Sequence, residues 1–221
     1  SLARFQFAMT TIFHFFFVPF SIGTIFVVAI MESMYVHTGK AEYKKMTKFW
    51  GNVFLLSFAV GIVTGLIQEF QFGMNWSDYS RFMGDIFGAP LAFEALLSFF
   101  IESTFIGLWM FTWNKVGKKL HLAFAWLVVF GTLTSALWIL TANAFMQHPV
   151  GFVLRNGRAE MANFWALLRN PQLFYEYGHV VIGALLTGAT ILTGLAAFQL
   201  LKKRNLSDIN KKIYRKTMRL G

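Results

Sequence analysis

The sequence predicts an all-α integral membrane protein with about five transmembrane helices and an N-terminus on the outer side of the membrane. Of the 221 residues, 56% are hydrophobic and only 14% are charged, whereas soluble domains carry about 25% charged residues. Five apolar runs are long enough to cross a bilayer, and the basic residues cluster in the segments on one side of them. This composition excludes a disordered chain, and the absence of Cys excludes a disulfide scaffold.

The first two predicted spans are residues 8–34 and 49–69. A span needs about 20 largely apolar residues, because the hydrocarbon core is about 30 Å thick. No charged residue occurs from Phe5 to Met31. No basic leader of the usual kind precedes this long run, so we do not interpret it as a cleaved signal peptide.

The next three predicted spans are residues 90–113, 121–146 and 178–202. The third is interrupted by Glu94 and Glu102, whereas the fourth contains no Asp, Glu, Lys or Arg. Buried helices of soluble proteins rarely reach the length of these five runs. We therefore treat residues 1–221 as a single transmembrane helical domain.

The basic residues predict the orientation of the spans. Fifteen of the 20 Lys and Arg residues lie between spans one and two, between spans three and four, or after span five. These are Lys40, Lys44, Lys45, Lys48, Lys115, Lys118, Lys119, Lys202, Lys203, Arg204, Lys211, Lys212, Arg215, Lys216 and Arg219. Because cytoplasmic loops carry the excess of Lys and Arg, these segments are predicted to be cytoplasmic. The net charge of +10 is thus a topological signal, and no nucleic-acid partner is expected.

The two predicted outer connections, residues 68–90 and 148–177, are longer than the inner ones. The first is rich in turn-forming residues and ends at Pro90. The second contains a short candidate interfacial helix, Glu160–Arg169. Both carry Trp or Tyr, as membrane–water interfaces often do.

A few ionisable residues lie clearly inside the predicted spans: His14, Glu94, Glu102 and His179. A charge at the centre of a membrane helix costs about 2.5–3.5 kcal/mol on insertion scales, so such residues are functional candidates. Since spans one, three and five begin outside, His14, Glu94 and His179 are expected in the outer half of the membrane. The remaining histidines are interpreted as solvated residues in or beside loops: His37, His121 and His148.

A stripe of polar side chains runs along the third span, where Glu94, Ser98 and Glu102 recur every four residues. The two carboxyl groups are about 12 Å apart along a helix, too far to share one proton but suitable for a water-bridged relay. Other polar groups stand beside the stripe or on the fourth span: Ser103, Thr104, Ser135 and Asn143. We interpret the stripe as a proton path; the alternative is a pair of neutral acids hydrogen-bonded to a neighbouring helix.

The histidines suit haem better than zinc. Zinc needs three or four ligands, whereas a haem iron is held axially by one imidazole in an apolar pocket. His14 is followed by Phe15, Phe16 and Phe17, which could line such a pocket. The alternative is an interhelical hydrogen bond. The residues alone therefore indicate a five-helix membrane subunit that binds haem or handles protons.

Long motifs follow one another along the chain. They are Arg4-Phe5-Gln6-Phe7, His14-Phe15, Glu69–Trp76 (EFQFGMNW), Gly84–Ala92 (GDIFGAPLA), Phe100–Leu108 (FIESTFIGL), Ser135–Trp138 (SALW) and Asn143–Gln147 (NAFMQ). In this order, over essentially the whole chain, they resemble subunit I of cytochrome bd-type quinol oxidases. The resemblance implies a helix-bundle haem protein that crosses a bacterial or archaeal cell membrane several times.

The resemblance also implies an activity. It points to a subunit of a respiratory terminal oxidase that oxidises quinol, reduces dioxygen to water and takes protons from the cytoplasm. The implied cofactors are a low-spin haem b, a high-spin haem b, and a haem d or further haem b. The implied partners are a second large membrane subunit and a small single-helix subunit, besides quinol, dioxygen and the lipid bilayer.

The site residues follow from the same resemblance. His14 matches an axial ligand in the high-spin haem pair, and His179 matches a ligand of the low-spin haem, so both are candidate metal ligands. The positions that match the proton path to the oxygen site are Glu94, Glu102, Ser103 and Ser135, with Glu94 next to the haems. At Asn114, near the cytoplasmic end, some relatives carry an acidic residue instead.

Other parts of the family's machinery have no counterpart in these residues. In the family, a later methionine and a later glutamate complete the haem ligands, and quinol is oxidised at a later outer loop. The chain also starts at Ser1 rather than Met. We therefore expect the front segment of a longer subunit, incomplete as a catalyst. The alternative functions are a membrane proton or ion conduit without haem and a dihaem electron-transfer subunit.

Overall fold

The structure is a computed structural model that describes residues 2–202 and 206–221. Five of its helices are long and apolar enough to cross a membrane, which confirms the predicted all-α class and the number of spans. Ser1 and two of the predicted cytoplasmic basic residues, Lys203 and Arg204, lie outside the described residues.

The membrane-length helices are longer than the predicted spans. They comprise Leu2–Thr38, Ala41–Gly73, Ser77–Phe111, Lys118–Gln147 and Pro171–Lys202. Each has 30 to 37 residues, and a helix rises about 1.5 Å per residue, so each exceeds a hydrocarbon core about 30 Å thick. Hydropathy detects the apolar middle of such a helix and misses its polar ends.

The elements are labelled in chain order. Helices α1 and α2 are Leu2–Thr38 and Ala41–Glu69, and a 3₁₀ turn, Phe70–Gly73, continues α2. The third membrane helix consists of α3, a π-helical segment and α4, which are Ser77–Phe93, Glu94–Phe99 and Phe100–Phe111. The remaining helices are α5 (Lys118–Gln147), α6 (Phe164–Leu168), α7 (Pro171–Lys202) and α8 (Asp208–Leu220).

Glycines allow α1 and α7 to pack in close contact. A Cβ on Gly23 would lie 2.2 Å from the carbonyl oxygen of Ala184, and one on Gly188 would lie 2.4 Å from the carbonyl carbon of Gly23. Small residues at such crossings let two backbones approach in a membrane. The pair Gly23 and Gly188 therefore fixes the height of α1 relative to α7.

We name the two ends of the bundle by the residues they carry. The end at which α1 begins holds His14 and His179 and is called the histidine end. The opposite end, where α1 meets α2, holds Lys44 and Lys48 and is called the lysine end. A tightly packed apolar core lies toward the lysine end, where Met31, Met46, Trp50, Phe54 and Ile25 are buried.

The short helix α8 returns along the bundle at the lysine end. It buries Ile213 and Thr217, and the indole Nε1 of Trp50 donates a 2.8 Å hydrogen bond to the Thr217 hydroxyl. Lys216 forms an ion pair with Glu42 on α2. These contacts hold α8 against α2.

Two predictions about the connections at the histidine end are wrong. Residues 77–90, expected to be turn-rich, belong to α3, with Gly84 and Pro90 inside the helix. Gly and Pro are tolerated in membrane helices because neighbouring groups satisfy the freed backbone groups. They therefore do not mark the end of a helix here.

The expected helix Glu160–Arg169 is wrong in its first half. Strands β1 (Phe152–Arg155) and β2 (Arg158–Met161) form an antiparallel hairpin, and only Phe164–Leu168 is helical. The turn residues Asn156 and Gly157 have φ of 50° and 73°. An Asn-Gly pair readily adopts positive φ at both positions, which matches the twist of a two-residue hairpin.

Candidate functional site

His14 lies half-buried in the contact between α1 and α2. Its Nδ1 is 3.2 Å from the hydroxyl oxygen of Thr64, and that hydroxyl is itself 2.9 Å from the carbonyl oxygen of Val60. The carbonyl can only accept, so a Thr64 hydroxyl that donates to it accepts in turn from His14 Nδ1–H. In that arrangement the hydrogen of the imidazole is on Nδ1. Its Nε2 carries a free lone pair.

The surroundings of this imidazole are apolar and tight. A Cβ on Gly65 would lie 3.0 Å from Cε1 of His14, so α2 provides a flat backing for the ring. The neighbouring Phe15 and Phe16 are 72% and 60% exposed. The described residues donate no hydrogen bond to Nε2. An apolar surface with one available imidazole nitrogen is what an axial haem ligand requires.

His179 stands on α7 at the same height as His14. Gly23 and Gly188 mark the crossing of α1 and α7, and each histidine precedes its glycine by nine residues. At about 1.5 Å per residue, both imidazoles lie about 13 Å from the crossing, toward the histidine end. His179 is exposed, and the described residues form no hydrogen bond with its ring. Each histidine thus offers an available nitrogen at matched depth.

Glu94 and Ser98 face α5 through hydroxyl contacts. The Ser135 hydroxyl donates a 2.8 Å hydrogen bond to Oε1 of Glu94. The Ser98 hydroxyl, which is fully buried, donates a 3.0 Å bond to the hydroxyl of Thr134. Two successive polar positions of the third membrane helix thus meet two successive hydroxyls of α5.

Glu102 continues this face one turn further. It is only 5% exposed, and a Cβ on Gly131 of α5 would lie 2.7 Å from its Cγ. Among the residues that the structure describes, no side chain donates a hydrogen bond to its carboxyl group. The glutamate stripe therefore packs against α5 along its whole length, as the spacing of four predicts.

The stripe begins in a π-helical segment rather than in a regular α-helix. Residues Glu94–Phe99 form this segment, and α4 follows directly at Phe100. Such segments are rare, and many occur at functional sites, because the wider turn redirects side chains. The deviation indicates that the placement of Glu94 is specified by more than helix propensity.

Ser103 is not part of this face. Its side chain is exposed, and its hydroxyl donates a 3.3 Å hydrogen bond to the carbonyl of Phe100 in the same helix. The structure thus brings Glu94, Glu102 and Ser135 together along α5 and leaves Ser103 on another surface of α4.

The glutamates lie at graded heights between the two ends of the bundle. Trp109 of α4 donates a 2.6 Å hydrogen bond to Glu32 of α1, which provides a common level. At about 1.5 Å per residue, Glu102 lies about 10 Å above that level, Glu94 about 22 Å and His14 about 27 Å. The carboxyl groups therefore form two steps from the lysine end toward His14.

The prediction that His121 is solvated is wrong, and Glu32 was missed. His121 and Glu32 are 4% and 1% exposed, and His121 Nδ1 lies 2.6 Å from Glu32 Oε1. His121 Nε2 donates to the backbone carbonyl of Trp109 at 2.9 Å, so the proton between Nδ1 and the carboxyl is held by the pair. A signal was present, because both residues fall inside predicted spans, 8–34 and 121–146.

A cavity of about 770 Å³ lies at the histidine end between α3 and the hairpin. Its charged lining residues are Arg81, Asp85, Arg158 and Glu160. The backbone nitrogen of Met161 donates a 2.7 Å bond to Asp85 and attaches the hairpin to α3. This cavity is separate from the side chains described above, since none of His14, His179, Glu94 or Glu102 lines it.

The donor set fits haem and does not fit a metal ion bound by side chains alone. Within residues 2–202 and 206–221, no group of three or more His, Asp or Glu residues is placed to hold a metal ion. His14 and His179 each have a ring nitrogen that receives no hydrogen bond from the described residues, and exposed apolar side chains lie beside each of them on its own helix. Each residue can therefore supply one axial bond to a planar cofactor.

Known proteins are similar to the chain over its whole length. The family model described as cytochrome bd terminal oxidase subunit I matches residues 2–221. Cytochrome bd ubiquinol oxidase subunit 1 of Bacillus subtilis strain 168 is 62% identical over 205 residues, which cover 93% of this chain and 44% of that protein. Cytochrome bd-II ubiquinol oxidase subunit 1 of Escherichia coli K12 is 51% identical over 205 residues, covering 92% and 40%.

The fold has a counterpart among solved structures. The bd oxidase from Geobacillus thermodenitrificans superposes with a TM-score of 0.89 at 28% identity, over 99% of this chain and 50% of that one. The chain thus spans about half the length of the relatives it matches, or slightly less.

Proposed function

Because the chain belongs to the cytochrome bd terminal oxidase subunit I family, we propose that it forms part of the haem-binding subunit of a respiratory oxidase in a bacterial membrane. The whole protein oxidises quinol and reduces dioxygen to water. The named oxidase subunits of Bacillus subtilis and Escherichia coli, at 62% and 51% identity, support this activity. A second large membrane subunit and a small single-helix subunit complete the complex.

The observation that carries the proposal is the available Nε2 of His14, at the same height as His179. With Thr64 accepting the hydrogen of Nδ1, the lone pair of Nε2 is available to a haem iron. We assign His14 to the high-spin haem pair, which contains haem b and either haem d or a further haem b. We assign His179 to a low-spin haem b. Haem supplies the electron transfer and the oxygen chemistry, whereas the protein supplies ligands, orientation and dielectric.

The glutamate stripe has the second role in this proposal. Glu102, the lower of the two acids, takes up protons, and Glu94 delivers them near His14. The buried Ser98 hydroxyl and the half-buried Thr134 hydroxyl lie between these two acids and provide an intermediate step with bound water. Ser135 holds the Glu94 carboxyl in place through its 2.8 Å bond. Ser103 belongs to the path by resemblance alone.

The direction of proton uptake follows from the charge distribution. We assign the lysine end to the cytoplasm, because Lys and Arg accumulate in cytoplasmic loops. The N-terminus and the histidine end are then on the outer side. Protons therefore enter from the cytoplasm below Glu102.

A reduced-minus-oxidised optical spectrum of the purified complete oxidase tests the proposal. Haem b bands that react with dioxygen are expected, and a red-shifted chlorin band would identify haem d. An absence of haem bands would support the alternative function of a proton or ion conduit. Haem b bands that do not react with dioxygen would support the alternative function of an electron-transfer subunit. Either of these two results would overturn the proposed oxidase function.

A further inference from the structure

Three lysines surround two aromatic rings at the lysine end. The ammonium of Lys44 lies 5.6 Å from the ring centre of Trp113 and 5.7 Å from that of Tyr35. Lys48 lies 5.0 Å from the Trp113 ring, and Lys118 lies 5.1 Å from the Tyr35 ring. These distances are within the range of cation–π attraction, so the rings keep like charges close together.

This cluster has no acidic partner in the part of the chain that the structure describes. No carboxylate oxygen lies within 4.0 Å of the ammonium groups of Lys44, Lys48 or Lys118, although Lys44 donates a hydrogen bond to Asn114. Three neighbouring cations without a counter-charge create a strongly positive field. Such a field favours an anion bound from outside the described chain.

A cavity of about 250 Å³ opens beside these lysines. Its lining residues come from α2, from the end of α4 and from the connection that follows α4: Lys48, Asn52, Leu55, Trp109, Met110 and Trp113. Going from the lysine end into the bundle, the α2 lining changes from Lys48 through Asn52 to Leu55. At about 1.5 Å per residue, this change from charged to apolar occurs over about 10 Å. The polarity gradient suits an amphiphile rather than a free ion.

The aromatic walls of the cavity are fixed from behind. The indole nitrogen of Trp109 donates to the buried Glu32, and the Trp113 ring centre is 4.0 Å from that of His121. Glu32 and His121 are bonded to each other at 2.6 Å. The buried pair, which has no place in the proposed haem and proton chemistry, thus holds both indoles in the orientation that forms the cavity.

We propose that this cavity binds an anionic phospholipid, with the phosphate at Lys44 and Lys48 and the acyl chains running along Leu55 and Met110. Lysines and an asparagine amide supply donors for phosphate oxygens. Basic pockets between membrane helices are suited to such headgroups. A soluble phosphate would share the cationic contacts but would have no use for the apolar part of the cavity.

Native mass spectrometry of the complete oxidase complex tests this proposal. The complex is exchanged into detergent with phosphatidylglycerol or phosphatidylcholine at equal concentration. The double variant Lys44→Gln/Lys48→Gln is expected to retain phosphatidylglycerol about tenfold more weakly than the parent protein, and phosphatidylcholine unchanged. The matched control is Lys115→Gln/Lys119→Gln, which removes two exposed charges at the same end and is expected to retain phosphatidylglycerol like the parent.

Three results would overturn the proposal. Equal losses in the two double variants would mean that general surface charge, not this cavity, attracts the lipid. Equal retention of the two lipids by the parent would mean that the cavity does not recognise an anion. Displacement of phosphatidylglycerol by a modest excess of inorganic phosphate would identify a free-anion site. Lipid retention is read without haem or oxygen, so this proposal and the proposed oxidase function fail independently.

Discussion

At the scale of single residues, the orientation of His14 depends on one hydroxyl. When Thr64 donates its own hydrogen to the backbone of α2, its oxygen accepts from His14 Nδ1. This bond selects the tautomer in which Nε2 is free. Groups that orient a metal-binding histidine in this way commonly affect metal affinity by about 10–100-fold.

The variant Thr64→Val removes that acceptor while keeping the shape of the side chain. We expect the high-spin haem signal to weaken or shift in the reduced-minus-oxidised spectrum, because the imidazole can then rotate or change tautomer. The matched control is Thr187→Val on α7, whose hydroxyl bonds only to its own helix at Gly183. An unchanged spectrum in Thr64→Val would mean that Thr64 does not orient a ligand.

His179 should matter for a different haem. The variant His179→Ala is expected to remove the low-spin haem b signal while the protein still accumulates in the membrane, because the exposed ring has no packing role. His37→Ala, which removes another exposed histidine at the opposite end, serves as the control and should leave all haem bands intact. Survival of the low-spin signal in His179→Ala would show that the ligand assignment is wrong.

Glu94 and its hydroxyl partner can be separated by substitution. Glu94→Gln keeps the shape but cannot carry a proton, so we expect quinol oxidase activity to fall by about 100-fold, as for a lost acid–base group. Ser135→Ala leaves the acid in place without its 2.8 Å donor and should reduce activity less. Steady-state oxygen uptake measures both.

Ser103→Ala is the comparison for these two variants. Its hydroxyl is exposed and bonded to its own helix, so the geometry predicts a smaller effect than that of Ser135→Ala. If Ser103→Ala lost as much activity as Ser135→Ala, a hydroxyl would contribute to the path without contacting Glu94.

At the scale of helices and strands, the features that depend on hydropathy could be predicted from the sequence. The five spans and the alignment of Glu94, Ser98 and Glu102 on one face follow from composition and period. The π segment at Glu94–Phe99 could not be predicted, because nothing in the local pattern distinguishes it from a regular helix. The segment contacts α5 through Glu94 and Ser98, and a single sequence does not reveal that packing.

Two other features of the structure had a signal in the sequence. Asn156-Gly157 is a strong hairpin dipeptide, yet the charged and apolar residues after it suggested a helix. Glu32 lies in the predicted first span and His121 begins the fourth, so their burial could have been anticipated. Their pairing could not, because it needs the relative positions of α1 and α5.

The close packing of α1 against α7 can be tested for its contribution to stability. Gly23→Ala would place a Cβ 2.2 Å from the Ala184 carbonyl oxygen, so the helices must separate. Overpacking of this kind costs about 1–3 kcal/mol. We therefore expect a lower thermal midpoint for loss of the haem absorbance, since both histidines are positioned by this crossing.

The control for this variant is Gly183→Ala on α7. No atom lies within 4 Å of a Cβ built at that position, and Ala has the higher helix propensity, so the midpoint should be unchanged or slightly raised. Equal midpoints for Gly23→Ala and the parent protein would show that the close approach of α1 and α7 does not limit stability.

At the scale of the whole molecule, two groups of charged residues have different tasks. Most of the basic residues gather at the lysine end, which we have proposed to be the cytoplasmic side. The few acids inside the bundle, Glu102 and Glu94 above all, lie at increasing distance from that end. A path that starts at the lysine end therefore leads toward the height of His14. The orientation of the bundle in the membrane thus decides from which side the proposed path takes up protons.

That orientation can be measured directly, because residues 1–221 contain no Cys, so a thiol introduced among them adds one new labelling site. Arg158→Cys lies at the histidine end and Lys119→Cys at the lysine end, and both positions are exposed. If the lysine end is cytoplasmic, a membrane-impermeant maleimide should label Arg158→Cys in intact cells and Lys119→Cys only after permeabilisation. The unsubstituted protein corrects for thiols elsewhere in the complex. The reverse labelling pattern would show that the lysine end faces outward. Glu102 would then receive protons from the outer side, contrary to the proposal.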